Sequence, residues 1–199
     1  MRALVQQQLT QLTQHINMFI VLAGTIGSGK NTVAEYLARK GFAYASGSDA
    51  IAEIVRSRNL PVTRDNMRAV ANELRATDGN YLHDITINKV AKEENAVMGY
   101  LRTENEVKRL REVAPHAIII AVDAPISLRY DRIVERNEEK DKITFEQFVE
   151  AENIEMNSTD PNKQNMKYCI NSADYIIKND STLENLYQNI DKVIASNKA

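Results

Sequence analysis

A three-layer α/β/α domain, with helices on both faces of a parallel sheet of about five strands, is predicted by three observations. Strand and helix patterns alternate along almost the whole chain. One unbroken apolar run, Ala117–Val122, suits the centre of a parallel sheet, where both faces of a strand are buried. A glycine-rich turn over residues 24–32 stands between an apolar run and an amphipathic one, and this strand–turn–helix order suits phosphate binding.

The elements follow in order. Residues 1–17 are glutamine-rich and read as a helical N-terminal extension to a domain of residues 18–199. Val5, Leu9, Leu12 and Ile16 recur at 4-3-4 spacing, one apolar stripe of a helix. A helix docked on the domain is the favoured reading; a helical dimer seam and an extension upstream of a start at Met18 are the alternatives. Phe19–Ala23 is a buried strand. Thr32–Lys40 is a helix with Val33 and Leu37 on one face, stopped at Lys40-Gly41. Phe42–Ala45 is a second strand, Asp49 to about Arg58 a helix, and Pro61 a break. Asp65–Ala76 carries the stripe Met67, Val70, Ala71 and Leu74; Tyr81–Glu93 is a further helix after the turn Asp78-Gly79-Asn80. Ala96–Tyr100 is the third strand, and Glu104–Val113 a helix using Val107 and Leu110. After the Ala117–Val122 strand, Ile126–Arg136 is helical. Thr144 and Gln147 form a capping box for a helix to about Met156. Asp174–Ile177 is the last strand, and Ser181 with Glu184 caps a final helix carrying Leu183, Leu186, Ile190, Val193 and Ile194.

Composition excludes several classes. A chain of 199 residues is long enough for one domain with a full core. The net charge of −2 leaves no basic face of the size nucleic acid demands, and without tryptophan there are few stacking platforms. The single cysteine, Cys169, excludes an internal disulfide and fits a reducing compartment, the cytoplasm. No 18-residue apolar run exists, so no membrane partner is expected. His83 and His116 lack metal spacing or a nucleophile partner.

The turn reads Gly24-Thr25-Ile26-Gly27-Ser28-Gly29-Lys30-Asn31-Thr32, the G-x-x-x-x-G-K pattern of a P-loop. Its glycines let backbone N–H groups approach phosphate oxygens, the following helix N-terminus adds partial positive charge, and Lys30 reaches the β- and γ-phosphates of ATP. The residue after the lysine is ordinarily Ser or Thr, a ligand of Mg²⁺. Here it is Asn31, followed by Thr32. An amide oxygen is an acceptable hard ligand, so Asn31 serves the metal; the other reading is weakened metal affinity and a regulatory nucleotide-binding protein without kinase activity.

In open α/β sheets ligands bind beyond the carboxyl ends of strands. Asp49, just after the second strand, is placed to take a proton from an acceptor or help hold Mg²⁺; the plain alternative is a helix N-cap. Arg129, Arg132 and Arg136 share one helix face and precede a polar segment with Lys140 and Lys142, the makings of a short lid that compensates transferring phosphate charge. The plain alternative is a solvated helix face. Arg56, Arg64, Arg68 and Arg75 fall in a helical insertion suited to a phosphate-bearing acceptor, and Arg102 follows the third strand. Asp123 is read equally as a Walker B carboxylate or a turn residue before Ala124-Pro125.

Together these residues resemble the dephospho-CoA kinase and nucleoside monophosphate kinase-like group of P-loop kinases. The resemblance rests on residues 24–32, on Ser48-Asp49-Ala50-Ile51, on Val122-Asp123-Ala124-Pro125 with Arg129-Tyr130-Asp131-Arg132-Ile133 and Arg136, and on Ala173–Asp180 followed by Leu183–Leu186. It spans about residues 18–196. A closer likeness is to a less characterised archaeal and bacterial branch, through Thr63–Met67, Glu73–Arg75 and Leu101-Arg102-Thr103. The resemblance implies a P-loop NTPase fold and Mg²⁺-dependent transfer from ATP to a small nucleotide-like acceptor, a nucleoside monophosphate or dephospho-CoA. It implies Asp49 as the catalytic carboxylate, Arg132 and Arg136 as lid-side arginines, and Asn179 near the adenine.

Overall fold

The computed structural model describes residues 2–137 and 142–198, so Lys140 lies outside the described residues, as do the side chains of Val5 and Arg64. In chain order the elements are α1 (Arg2–Thr13), β1 (Met18–Ala23), α2 (Lys30–Arg39), β2 (Ala43–Ser46), α3 (Gly47–Ser57), α4 (Arg64–Thr77) and α5 (Tyr81–Asn88). There follow β3 (Asn95–Gly99), α6 (Glu104–Val113), β4 (Ile118–Asp123), α7 (Ile126–Arg136), α8 (Phe145–Met156), α9 (Met166–Asn171), β5 (Tyr175–Lys178) and α10 (Leu183–Ser196). The five strands form one parallel sheet in the order β2-β3-β1-β4-β5. Helices pack on both faces of this sheet, the three-layer α/β/α architecture of the P-loop NTPase fold.

Alternation along the strands divides the core. Phe19 and Val21 of β1, Met98 of β3 and Ile119 of β4 face one layer, packing with Val55, Leu82, Leu110 and Cys169. Ile20 and Leu22, Val97, Ile120 and Val122 face the other, against Val33 and Leu37 of α2 and Leu186 and Ile190 of α10. Both faces of β1 and β4 are therefore dry, the reason their sequences read as continuous apolar runs. Leu9 and Ile16 of the N-terminal segment are buried in the first of these layers, and the Thr13 hydroxyl donates to the Val113 carbonyl at 2.6 Å.

Several boundaries differ from the sequence pattern. α3 begins at Gly47, two residues earlier than expected, because the Ser46 hydroxyl accepts from the Asp49 N–H and caps the helix. Asp49 is thus not the N-cap but lies in the first turn, and its carboxylate is left for another use. α5 ends at Asn88 rather than Glu93, where the chain turns through hydrogen bonds such as Val90 N–H to the Ile87 carbonyl. α10 is capped by Thr182, which accepts from the Asn185 N–H, and not by Ser181; Leu183 is 57% exposed and stands outside the apolar stripe. The six-residue α9 had no helical signature, being too short for a 3.6 period, yet it buries Met166 and Cys169. The Thr144–Gln147 capping box of α8 forms with both hydrogen bonds present.

Candidate active site

The loop between β1 and α2 carries three glycines at positive φ: Gly24 (138°), Gly27 (76°) and Gly29 (101°). Sterics as well as conformation demand glycine here. A Cβ on Gly27 would lie 2.6 Å from the Arg129 carbonyl oxygen, and one on Gly29 would overlap the Asn179 side-chain amide. The loop is held between α7 on one side and the residue after β5 on the other. No side chain caps α2, and its first hydrogen bond runs from the Val33 N–H to the Gly29 carbonyl. The N–H groups of Lys30, Asn31 and Thr32 precede that bond and carry the positive end of the helix dipole. An uncapped helix start beneath a glycine loop is an anion cradle.

The Lys30 ammonium donates to the carbonyls of Gly24 (2.6 Å) and Thr25 (2.7 Å). Burial pulls its pKa down to about 7; the guanidiniums of Arg102, Arg129 and Arg136 push the same way, and the Glu155 carboxylate opposes them. A lysine under such pressure gains strongly from an arriving polyanion.

Buried polar contacts fix the loop from behind. Asn179, 5% exposed, donates through its side-chain amide to the Ser28 carbonyl at 2.9 Å, and its backbone N–H donates to the Asp123 carbonyl. Arg132 donates to the Asn179 carbonyl at 2.8 Å and to the Gly27 carbonyl at 3.4 Å. Arg129 is buried, donates to the carbonyls of Ala124 (2.8 Å) and Ile26 (3.1 Å), and makes a two-pronged ion pair with Glu152 of α8. Arg129 is therefore a strut between the lid-side helices and the loop. Gly24, Thr25, Ser28 and Asn179 sit on this inner side.

In front of the loop opens a cleft of about 730 Å³. Ile26, Gly27, Gly29, Lys30, Asn31 and Thr32 line its P-loop end, and Arg132 and Arg136 of α7 flank it. Asp49, Ser46, Ser48 and Tyr44 line it from the carboxyl end of β2 and the start of α3. Met67, Arg68, Ala71 and Arg75 of α4, with Gly99 at the end of β3 and Arg102 beyond it, form the far wall. The Asp49 carboxylate is exposed and has no hydrogen-bond or ion-pair partner among the described residues. Asp123 does not line the cleft; it ends β4, where its backbone pairs with the chain after β5. Arg56 does not line it either. Sequence reasoning passed over Glu155 of α8, Glu35 of α2, Tyr44 and Gln164, which also reach the cleft. None sits in a motif; Glu155 could have been sought as the residue three beyond Glu152, one helical turn along the same face.

The site suits ATP through its cradle of backbone N–H groups and Lys30. It suits Mg²⁺ through the exposed Asn31 side chain, whose amide has no partner among the described residues, and the Asp49 carboxylate facing the same cleft. Among the described residues no cluster of three or more acidic, histidine or cysteine side chains could hold a metal alone. Magnesium in phosphoryl transfer ordinarily takes only one or two protein ligands beside phosphate and water. No described helix is long and apolar enough to cross a membrane.

Known proteins resemble the chain in sequence and in fold. The UPF0200 protein of Pyrococcus abyssi is 29% identical over 184 residues, covering 89% of this chain and 95% of the relative. That of Pyrococcus furiosus is 31% identical over 185 residues, covering 89% and 96%. The fold of shikimate kinase from Acinetobacter baumannii, solved with shikimate, superposes with a TM-score of 0.56 at 16% identity, covering 91% of this chain and 94% of that one. The sequence profile of the AAA domain family matches residues 20–160, and with the relatives it shows that the chain belongs to the AAA domain family and to the UPF0200 proteins.

Proposed function

We propose that the protein transfers the γ-phosphate of ATP to a small nucleotide-like acceptor, a nucleoside monophosphate or dephospho-CoA. The observation that carries this reading is a single cleft with two unlike ends. A phosphate cradle with Lys30 lies at one end, an unpartnered carboxylate, Asp49, faces the same space, and arginines line the far wall. A protein that only sensed ATP would need the first end alone.

In this reading the N–H groups of residues 25–32 and Lys30 hold the triphosphate. Asn31, with Thr32 beside it, serves the metal end of the phosphates. Held there by Asn31, magnesium would supply charge neutralisation for the triphosphate. An acceptor oxygen forms the new bond to the γ-phosphorus as the bond to the β–γ bridging oxygen breaks, and ADP leaves. Asp49 orients the acceptor and takes its proton where the attacking group is a hydroxyl. Arg132 and Arg136 compensate charge on the transferring group. The kinase fold of the structural neighbours supports phosphotransfer in general.

The test is ADP formation from Mg·ATP across the ribo- and deoxynucleoside monophosphates and dephospho-CoA. Strong stimulation by one acceptor is expected. Binding of ATP with no stimulation by any of them would favour the regulatory reading, in which Asn31 marks a site that holds nucleotide without turnover.

A further inference from the structure

One corner of the cleft is shaped by a side chain that is not there. Gly99 ends β3, the strand beside β1, and its φ lies outside the left-handed region, so its backbone does not itself require glycine. The requirement is space. A Cβ on Gly99 would lie 3.2 Å from the Tyr44 hydroxyl oxygen and 3.5 Å from the ring. Strand register sets Ser46 of β2 beside Gly99, and Tyr44, two residues before Ser46, shares its face of the sheet. The phenol therefore reaches along the sheet and takes the place that a side chain at the end of β3 would hold. Tyr44 is 38% exposed and lines the cleft.

Two carboxylates stand about this phenol. Glu35 lies one helical turn after Asn31 on the same face of α2, and Asp49 lies in the first turn of α3. Both line the cleft, both are exposed, and neither has an ion-pair partner among the described residues. Burial and then these two carboxylates hold the Tyr44 hydroxyl protonated above its ordinary pKa, against the pull of the Ser46 hydroxyl beside it. The corner thus offers two groups that only accept hydrogen bonds and one O–H that donates. A phosphate attacking from here would be pressed against like charge. An ammonium, with only hydrogens to offer, would leave the phenol donor unused. Two neighbouring neutral hydroxyls use every group: one donates to Asp49, and the other donates to Glu35 while accepting from Tyr44.

We infer that Glu35 and Tyr44 are specificity-determining residues that read the second hydroxyl of a vicinal diol on the acceptor, whose first hydroxyl lies on Asp49. The first hydroxyl gives its proton to Asp49 as its oxygen bonds to the γ-phosphorus, the bond to the β–γ bridging oxygen breaks, and ADP leaves. The second hydroxyl keeps its proton and sets the orientation of the first. Hydrogen bonds to carboxylates are the strong kind, so a missing second hydroxyl is felt. The ribose of a nucleotide presents such a diol, and the acceptor therefore enters sugar first. The inference rests on the proposed phosphotransfer reading for the word acceptor, but its test needs no turnover.

The test is titration calorimetry of the full chain with a non-hydrolysable ATP analogue bound. The probes are the four ribonucleoside 5′-monophosphates and dephospho-CoA, each beside its 2′-deoxy and 3′-deoxy counterparts. At least one diol should bind tenfold or more tighter than both of its deoxy counterparts. Tyr44→Phe, which removes one oxygen, and Glu35→Ala should each shrink that preference below threefold. Both should leave the affinities for the deoxy compounds and for the ATP analogue within twofold of wild type, a selectivity that a merely structural role would not produce. Both side chains are exposed, so neither substitution opens the core. Gly99→Ala, which crowds the phenol hydroxyl and leaves the carboxylates untouched, should lower the preference at least twofold. Failure of every diol to bind tighter than its deoxy counterparts overturns the assignment, as does a preference that survives in Tyr44→Phe or Glu35→Ala. Selective diol binding without ADP formation would keep the diol site and remove the kinase; ADP formation with deoxy acceptors as good as their parents would do the reverse.

Discussion

The two ends of the cleft are built by different means. The donor end is local: nine consecutive residues, three with positive φ, turn backbone N–H groups and one lysine toward a phosphate. The far end is assembled from distant segments, with Arg75 of α4 meeting Glu106 of α6 and Arg102 of the β3–α6 loop meeting Glu155 of α8. A site made of contiguous backbone tolerates side-chain change around it. One made of long-range ion pairs depends on each partner, since removing one leaves a buried charge uncompensated.

That contrast can be broken most severely at Lys30. Lys30→Ala should lower turnover by about a thousandfold or more, as loss of a group that stabilises transferring charge does. Full activity in steady-state assays would contradict its role. Next comes Asp49→Asn, expected to cut kcat by roughly a hundredfold with little change in ATP affinity, in line with loss of a general base. Because Ser46 and not Asp49 caps α3, thermal stability should hold, and equal losses of kcat and ATP affinity would count against the assignment. The Arg129–Glu152 strut comes third. Glu152→Ala strands a buried guanidinium and should lower unfolding free energy by about 3 kcal/mol in denaturant titration.

The pH dependence sharpens the comparison, since it belongs to the donor end. The folded pKa of Lys30, about 7, lies below its ordinary value, so between about pH 7 and 10.5 the unfolded chain holds a proton that the folded one has lost. This group therefore makes stability rise with pH across that window. Nucleotide phosphates favour the charged amine, so binding above pH 7 should take up one proton, and ATP affinity should weaken by up to about tenfold per pH unit. Calorimetry in buffers of different ionisation enthalpy reads the uptake, and its absence at pH 8 would show that Lys30 stays charged. The smallest expected effect is Asn31→Ser, a change of roughly twofold to fivefold in the Mg²⁺ concentration for half-maximal rate, since one neutral oxygen ligand replaces another.

The donor end was legible because its chemistry is written in spacing: Gly24, Gly29 and Lys30 fix the loop, and the apolar run before it fixes the strand. The sheet was legible for the same reason, through two-sided burial of β1 and β4. The far wall was legible only as a set of arginines with no means of ranking them. Arg56 and Arg75 look alike in sequence, and only the tertiary partner Glu106, 31 residues beyond Arg75, separates a cleft residue from a surface one. Glu155 reaches the cleft through the crossing of α8, which no local pattern encodes. Asp49 lines the cleft, while its helix begins two residues before the position the pattern suggests, because Ser46 and not Asp49 caps it and only backbone geometry chooses between neighbouring capping residues.

The central claim is that a phosphoryl group passes from one end of the cleft to the other. It is tested most directly by following ATP labelled on the γ-phosphate through a reaction containing the acceptor that most stimulates ADP formation. Label recovered in the acceptor in step with ADP, and lost in Lys30→Ala, is the expected result. Label appearing only as inorganic phosphate, or remaining in ATP with every acceptor tried, would contradict it.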